Sequence, residues 1–213
     1  MAGPEWFIGV ETLFDAVFVL VTALVSLAGF RAYMFFKERK YLLLAQGFFF
    51  LSASYLLLFV SNLLVYVKSY EAIPLLQRVI EIERIITTGF FLYAILFLIG
   101  LVLLIFLYFH IEDVVLRLLI GSLVVFGYML AGKLTGMFYL LSSILLFFLV
   151  VQLYRSWSKS LTMRSLLVFF AIFGIFIGEL LLAVLTFGPT MYVAANCVTL
   201  VGYLTMLASQ VRR

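Results

Sequence analysis

The stretch from Trp6 to Phe30 reads WFIGVETLFDAVFVLVTALVSLAGF and is apolar except for a polar stripe. A transmembrane helix needs about 20 mostly apolar residues, so this stretch predicts a membrane-spanning helix. Glu11 and Asp15 are four residues apart and therefore lie one turn above the other on one face of that helix. Thr22, Ser26 and Gly29 continue the same face. Because charge inside a bilayer is costly, this stripe must meet protein, water or an ion.

The composition extends this prediction to the whole chain. Of 213 residues, 67% are hydrophobic and 11% are charged, and the mean hydropathy is +1.28. A soluble domain would be about a quarter charged. We therefore expect a single all-α domain over residues 1–213, a multi-pass protein of the cell membrane whose main partner is the lipid bilayer. The net charge of +4 does not indicate nucleic-acid binding, because the basic residues lie at span ends.

Hydropathy predicts seven transmembrane helices. Their expected bounds are about 6–30, 41–67, 83–109, 112–131, 134–155, 162–187 and 189–210. The fourth and fifth are divided only by a short Gly-Lys-Leu-Thr-Gly turn at 132–136. Before the third, residues 75–83 alternate apolar and polar side chains, which predicts a short separate helix at the membrane surface.

Lys and Arg side chains predict the orientation. Ten lie at one side of the predicted bundle: Arg31, Lys37, Arg39, Lys40, Arg117, Arg155, Lys159, Arg164, Arg212 and Arg213. Four lie at the other: Lys68, Arg78, Arg84 and Lys133. Basic residues concentrate on the cytoplasmic side, so we expect the N-terminus outside and the C-terminus inside.

The chain also shows a candidate internal repeat. A shift of 124 positions carries Phe14 to Phe138 and Tyr33 to Trp157, and two basic residues onto basic residues: Arg31 onto Arg155 and Lys40 onto Arg164. This predicts parallel repeats over 6–109 and 134–210, joined by a linker helix at 112–131. Parallel repeats are one known plan of transporters. The alternative is that Leu-rich helices with the same interfacial preferences match without duplication.

Polar residues inside the spans define a candidate site. Asp15, Glu179 and Asn196 lie about 10–14 Å below the outer boundary, at about 1.5 Å per residue. Glu11 and Asn62 lie about a turn higher, Tyr192 shares a helical face with Asn196, and Arg84 is a nearby basic side chain. We expect these seven residues to form a ligand- or ion-binding site. The alternative is that the three deeper residues hydrogen-bond to one another as interhelical links between neutral carboxyl groups.

Other chemistry is poorly supported by the sequence. The chain has one His, His110, and one Cys, Cys197, which excludes metal sites built on two His or on several Cys within one chain. His110 with Glu112 and Asp113 reads as a polar turn, with metal binding as the alternative. We predict no catalytic residues, no metal site and no cofactor. Glu81 and Arg84 are expected to pair, and Gly174 and Gly178 to permit a close helix approach.

One segment carries a resemblance. FRAYMFFKERKYLLLAQGF, residues 30–48, resembles a pattern in small archaeal and bacterial multi-helix membrane proteins. Some of those proteins are uncharacterised and others are membrane sensor modules fused to kinases. The likeness covers the first two predicted helices. It implies a sensory or accessory role, which would require a separate signalling partner or a further signalling domain.

These observations favour a non-enzymatic membrane protein with an acidic, outward-facing pocket for a cation, a proton or a polar ligand. It would act as a sensor module or as a subunit of a membrane complex, and homo-oligomers and partner subunits both stay open. The alternative is a small secondary transporter or channel. A transporter needs polar access from both sides of the membrane. The inner halves of predicted helices 2, 3 and 6 are nearly all Leu, Phe and Ile, which argues against a wide transport path. An intramembrane enzyme is a third possibility.

Overall fold

The computed structural model describes residues 7–69, 75–109, 114–130, 135–184 and 189–211. Within these ranges the chain forms seven α-helices, which confirms the all-α prediction. They are α1 (Ile8–Phe36), α2 (Arg39–Ser69), α3 (Leu75–Tyr108), α4 (Val114–Leu130), α5 (Thr135–Ser160), α6 (Met163–Ala183) and α7 (Pro189–Val211).

Six helices of the described chain are long and apolar enough to cross a membrane: α1, α2, α3, α5, α6 and α7. The protein is therefore a membrane protein. The helix α4 has 17 residues, which is about 26 Å of helix and at the lower limit for a bilayer core of about 30 Å. A seventh span remains a prediction.

The prediction of a separate surface helix before the third span was wrong. The structure has one continuous helix of 34 residues, α3, from Leu75 to Tyr108. Nothing after Pro74 breaks a helix, and proline is tolerated just before a first turn. Glu81 lies on this extension and forms an ion pair of 3.3 Å with Lys68 of α2. The expected pairing of Glu81 with Arg84 is absent from the ion pairs of the described residues.

The long helices form a ring. Going round it, α1 packs on α2, α2 on α3, α3 on α5, α5 on α6, α6 on α7 and α7 on α1. The helix α4 lies outside this ring, mainly against α3. In this ring α6, α7, α1 and α2 are successive neighbours. Polar residues on the inner faces of α1, α6 and α7 can therefore meet inside the ring.

Glycines set the closest helix crossings. A Cβ added to Gly100 of α3 would lie 2.9 Å from the Gly47 carbonyl oxygen of α2. A Cβ added to Gly202 of α7 would lie 2.8 Å from the Ala171 carbonyl oxygen of α6. A real side chain does not tolerate such distances to a backbone, so only glycine allows these helices to approach so closely.

The predicted close approach at Gly174 and Gly178 is confirmed, and its partner is α7. A Cβ on Gly174 would lie 3.2 Å from the Gly202 Cα, and one on Gly178 would lie 3.0 Å from the Ala195 carbonyl oxygen. This contact places α7 beside the turn of α6 that carries Glu179.

Two short links close the helical hairpins. Lys37 lies between α1 and α2 with φ of 55°, and its N–H donates to the Tyr33 carbonyl at 2.8 Å. Leu161 lies between α5 and α6 with φ of 50°, and its N–H donates to the Trp157 carbonyl at 2.8 Å. These are left-handed caps that reverse the chain after each helix.

Gly202→Ala should destabilise the protein by about 1–3 kcal/mol, because the added methyl group overpacks the crossing of α6 and α7. Gly121→Ala is the matched control, since its added Cβ meets no atom within 4 Å. It should leave stability unchanged or raise it by about 0.5–1 kcal/mol. Thermal unfolding in detergent measures the stability of both variants. Equal effects of the two substitutions would contradict the close approach of α6 and α7 at Gly202.

Candidate functional site

The two carboxyl groups of α1 join this helix to both of its neighbours. Asp15 is 3% exposed, and its Oδ2 accepts a hydrogen bond of 2.8 Å from the Asn62 amide of α2. Glu11 accepts a hydrogen bond through Oε1 from the Tyr192 hydroxyl of α7. Four of the predicted site residues are thus brought together in two pairs.

The lower part of the α1 stripe serves helix packing instead. The Thr22 hydroxyl donates to the Phe18 carbonyl of its own helix at 2.6 Å. The Ser26 hydroxyl donates to the Ala45 carbonyl of α2 at 2.8 Å, and Gly29 packs against the same residue. The candidate site is therefore confined to the Glu11 and Asp15 end of the stripe.

The third carboxyl group, Glu179 of α6, is 2% exposed. Its Oε2 accepts a hydrogen bond of 2.7 Å from the Ser142 hydroxyl of α5. The sequence offered little to single out Ser142, because serine is common inside helical bundles and this pair is 37 residues apart. Only the packing of α5 on α6 makes them partners.

Asn196 forms a local contact rather than a bond to the carboxyl groups. It is half-buried, and its amide donates to the Tyr192 carbonyl one turn earlier on α7 at 2.9 Å. The alternative in which Asp15, Glu179 and Asn196 bond to one another does not describe the hydrogen bonds found. A ligand-binding role for Asn196 stays a prediction.

No basic side chain of the described chain neutralises these carboxyl groups. The ion pairs found there join Lys40 to Glu38 and Lys68 to Glu81. Arg84 is exposed on α3 and forms neither of those pairs, so its predicted site role stays a prediction. Lys133, His110, Glu112 and Asp113 lie outside the described residues.

Each of the three carboxyl groups also has one oxygen that accepts no hydrogen bond from the described part of the chain. A carboxylate has two oxygens, each able to accept hydrogen bonds. Within the described residues, Glu11, Asp15 and Glu179 each accept one side-chain hydrogen bond, through a single oxygen. The second oxygen of each group therefore accepts no side-chain hydrogen bond from the described residues.

Two tyrosines that sequence reasoning missed face the same interior. Tyr139 of α5 lies within electrostatic range of Glu11, Asp15 and Glu179. Tyr93 of α3 is 3% exposed and lies within range of Asp15 and Glu179. Neither tyrosine hydroxyl forms a hydrogen bond to the part of the chain that the structure describes.

A second tyrosine pair closes the interior further along the helices. The Tyr203 hydroxyl of α7 donates to the Tyr55 hydroxyl of α2 at 2.9 Å, and both rings are buried. The Phe18 ring packs on both, with centroid distances of 4.7 Å and 5.1 Å. Tyr203 follows Tyr192 by three turns of α7, about 17 Å. The carboxyl groups thus lie between the Glu11–Tyr192 pair and this aromatic floor.

Comparison of the chain with protein-family models, curated proteins and solved structures gives no significant match. The function is therefore argued from the side chains alone.

Ser142→Ala should lower stability by about 1–3 kcal/mol, because it removes the hydrogen-bond donor of a buried carboxyl group. Ser143→Ala is the matched control, since Ser143 is equally buried but donates only to the Tyr139 carbonyl of its own helix. Its effect should stay below about 1 kcal/mol. Thermal unfolding of both variants is the measurement, and a larger loss in Ser143→Ala would contradict the Glu179 contact.

Proposed function

We propose that this membrane protein binds a proton, a small cation or the cationic group of a polar ligand inside the ring of helices. The observation that supports it is the burial of Asp15 and Glu179 without a basic partner among the described residues. An ionised carboxylate in a low-dielectric interior needs a positive partner, or it takes up a proton. The site would consist of Asp15, Glu179 and Glu11, with Asn62 and Tyr192 holding two of them in place.

The proposal includes the orientation inferred from the basic residues. With seven spans and the N-terminus outside, the Glu11 end of α1 faces the exterior of the cell membrane. The occupant then enters from outside, past the Glu11–Tyr192 pair. In this reading the protein is not an enzyme, and occupancy of the site is sensed or passed to a partner subunit.

A transporter is the second candidate, and the repeat is the observation that favours it. The shift of 124 positions that aligns the sequence carries Lys37 to Leu161 and Tyr33 to Trp157. Lys37 and Leu161 are the two non-glycine residues of positive φ in the described chain. Both N–H groups donate to the equivalent carbonyl at 2.8 Å. Interfacial amino-acid preferences alone do not account for equal backbone geometry at equivalent positions.

The glycine crossings support the same duplication. The shift carries Gly47 to Ala171 and Leu51 to Ile175. Gly100 of α3 packs on Gly47 and Leu51. Gly202 of α7 packs on Ala171 and Ile175. A Cβ added to Gly100 would lie 2.9 Å from the Gly47 carbonyl oxygen, and a Cβ added to Gly202 would lie 2.8 Å from the Ala171 carbonyl oxygen. The two crossings are therefore equally close. A bundle of α1–α3 and a bundle of α5–α7 would then be related halves.

A contact near the site follows the same shift. Phe18 maps to Ser142 and Tyr55 to Glu179. Phe18 contacts Tyr55 in one half, with ring centroids 5.1 Å apart, and Ser142 contacts Glu179 in the other. Hydrogen bonds from Tyr192 to Glu11 and from Tyr203 to Tyr55 join the two halves. The site would then lie beside the contact between the halves, which is where repeat transporters bind their substrates.

For the binding function, thermal unfolding with and without Na⁺, K⁺, Mg²⁺, Ca²⁺ and low pH is the test. An occupant at about 100 times its dissociation constant should stabilise the protein by about 2.7 kcal/mol. Asp15→Asn and Glu179→Gln should lose that gain, because each removes a negative charge from the site. Glu38→Gln, at an exposed position between α1 and α2, should keep it. The binding proposal fails if no condition stabilises the protein and both neutral variants are more stable than the parent.

For transport, the test is flux of protons or cations into vesicles that contain the purified protein. Asp15→Asn and Glu179→Gln should abolish the flux, while Glu38→Gln should leave it unchanged. Flux that persists in both neutral variants would rule out a carrier that uses this site. Stabilisation by a cation without any flux would leave the sensor or subunit role.

A further inference from the structure

We propose that a groove on the exposed face of α1 holds an acidic phospholipid, whose phosphate group binds Arg31 and whose acyl chain lies along the apolar part of the groove. This inference goes beyond the proposed cation site and uses none of its carboxyl groups. It assigns a binding role to the face of α1 that points away from the ring of helices.

The α1 groove is a cavity with a volume of about 410 Å³. Its described lining residues all belong to α1: Leu24, Leu27, Ala28, Arg31 and Phe35. They are three, one, three and four residues apart, so they share one face of the helix. All five are exposed, so no described helix covers this face. The volume lies within the range of about 300–1,000 Å³ that is usual for small-molecule sites.

The groove owes its shape to the small side chain of Ala28. This residue lies one helical turn from both Leu24 and Arg31, and its methyl group is much shorter than either of those side chains. The lining residues extend along the helix from Leu24 to Phe35, which is about 17 Å at 1.5 Å per residue. A narrow apolar groove that follows the direction of a transmembrane helix matches the shape and direction of an acyl chain.

Arg31 places a positive charge at one end of this apolar groove. Its side chain is exposed and takes part in neither of the ion pairs found among the described residues. It lies five residues before the end of α1 at Phe36, and Tyr33 beside it is a residue type that is enriched at the level of the lipid headgroups. Because an arginine binds phosphate oxygens through two N–H donors at once, a lipid phosphate would supply its negative partner.

The charge around Arg31 favours an acidic lipid over a zwitterionic one. The link between α1 and α2 adds three basic residues, Lys37, Arg39 and Lys40, and one acidic residue, Glu38. The Glu38 carboxyl group already forms an ion pair with Lys40. Clusters of basic side chains at a membrane surface attract anionic headgroups. The same end of α1 therefore provides both an apolar groove and an excess of positive charge.

A second copy of the chain would fit this face less well. Two copies have the same orientation in a membrane, and a two-fold dimer uses the same surface of both. The Arg31 side chains of the two copies would then lie at the same level of one contact. Like charges repel, and most strongly where water is excluded. A phospholipid covers the same apolar surface and brings a negative charge to Arg31.

The test is native mass spectrometry of the full chain in a neutral detergent, with phosphatidylglycerol and phosphatidylcholine that have identical acyl chains. The parent should bind phosphatidylglycerol about five-fold more tightly, the effect expected of one basic side chain beside an anionic lipid. Glycerol 3-phosphate has the phosphate group but no acyl chain, and it should not displace the lipid.

Arg31→Gln should remove the preference for phosphatidylglycerol. Arg155→Gln is the matched control, because it makes the same change at an exposed position of α5 that the shift of 124 residues aligns with Arg31. There Val151 and Gln152, which correspond to Leu27 and Ala28, are partly buried instead of exposed. The control should keep the preference of the parent.

Ala28→Phe should weaken the binding of both lipids, because the larger side chain fills the groove without changing the charge. Leu13→Phe adds an aromatic ring at another exposed position of α1, outside the groove, and should bind both lipids like the parent.

Four results would overturn the proposal. Equal affinity of the parent for the two lipids, or an equal loss in Arg31→Gln and Arg155→Gln, would show that Arg31 does not select the headgroup. Displacement by glycerol 3-phosphate would indicate a site for a soluble phosphate. Binding of parent strength in Ala28→Phe would exclude the groove as the seat of the acyl chain. A dimer that dissociates in Ala28→Phe would assign the groove to a second copy of the chain.

Discussion

The cost of a carboxyl group in hydrocarbon is the constraint on which the rest of this structure depends. Asp15 and Glu179 could not face lipid, so α1 and α6 must turn them towards other helices. Each then requires a donor from a neighbour, and Asn62 and Ser142 supply it. The rotation of α1 and α6, and therefore the lipid-facing surfaces of both hairpins, follows from where these two side chains have to point.

Close packing makes those contacts geometrically attainable. Side-chain amides and hydroxyls are short, so their helices must approach closely for a hydrogen bond to form. Glycine provides that approach between α1 and α2, where Gly29 lies against Ala45 and the Ser26 hydroxyl donates to the Ala45 carbonyl. In this bundle the small residues allow the short distance between helices that the hydrogen bonds of the polar side chains require.

Hydropathy and helical periodicity were enough to predict the helices and the inward face of Glu11 and Asp15, because these are local properties of the chain. The position of α4 outside the ring and the pairing of Ser142 with Glu179 depend on contacts between distant segments, which periodicity does not encode. Tyr93 lies in an aromatic run that reads as ordinary core, and it differs from that core in having no hydroxyl partner among the described residues. The unbroken α3 was missed because an alternating pattern at 75–83 also fits the first turns of a long helix.

The hydrogen bonds of the interior differ in which helices they join. Asp15–Asn62 lies within the α1–α2 hairpin and Glu179–Ser142 within the α5–α6 hairpin, whereas Glu11–Tyr192 and Tyr55–Tyr203 link α7 to the first hairpin. A rocking motion of the first hairpin against α7 would therefore break the two links and release Glu11, while the pairs that orient Asp15 and Glu179 would stay intact. The contacts that close the bundle beside α7 are thus different from the contacts that orient its two deeper carboxyl groups.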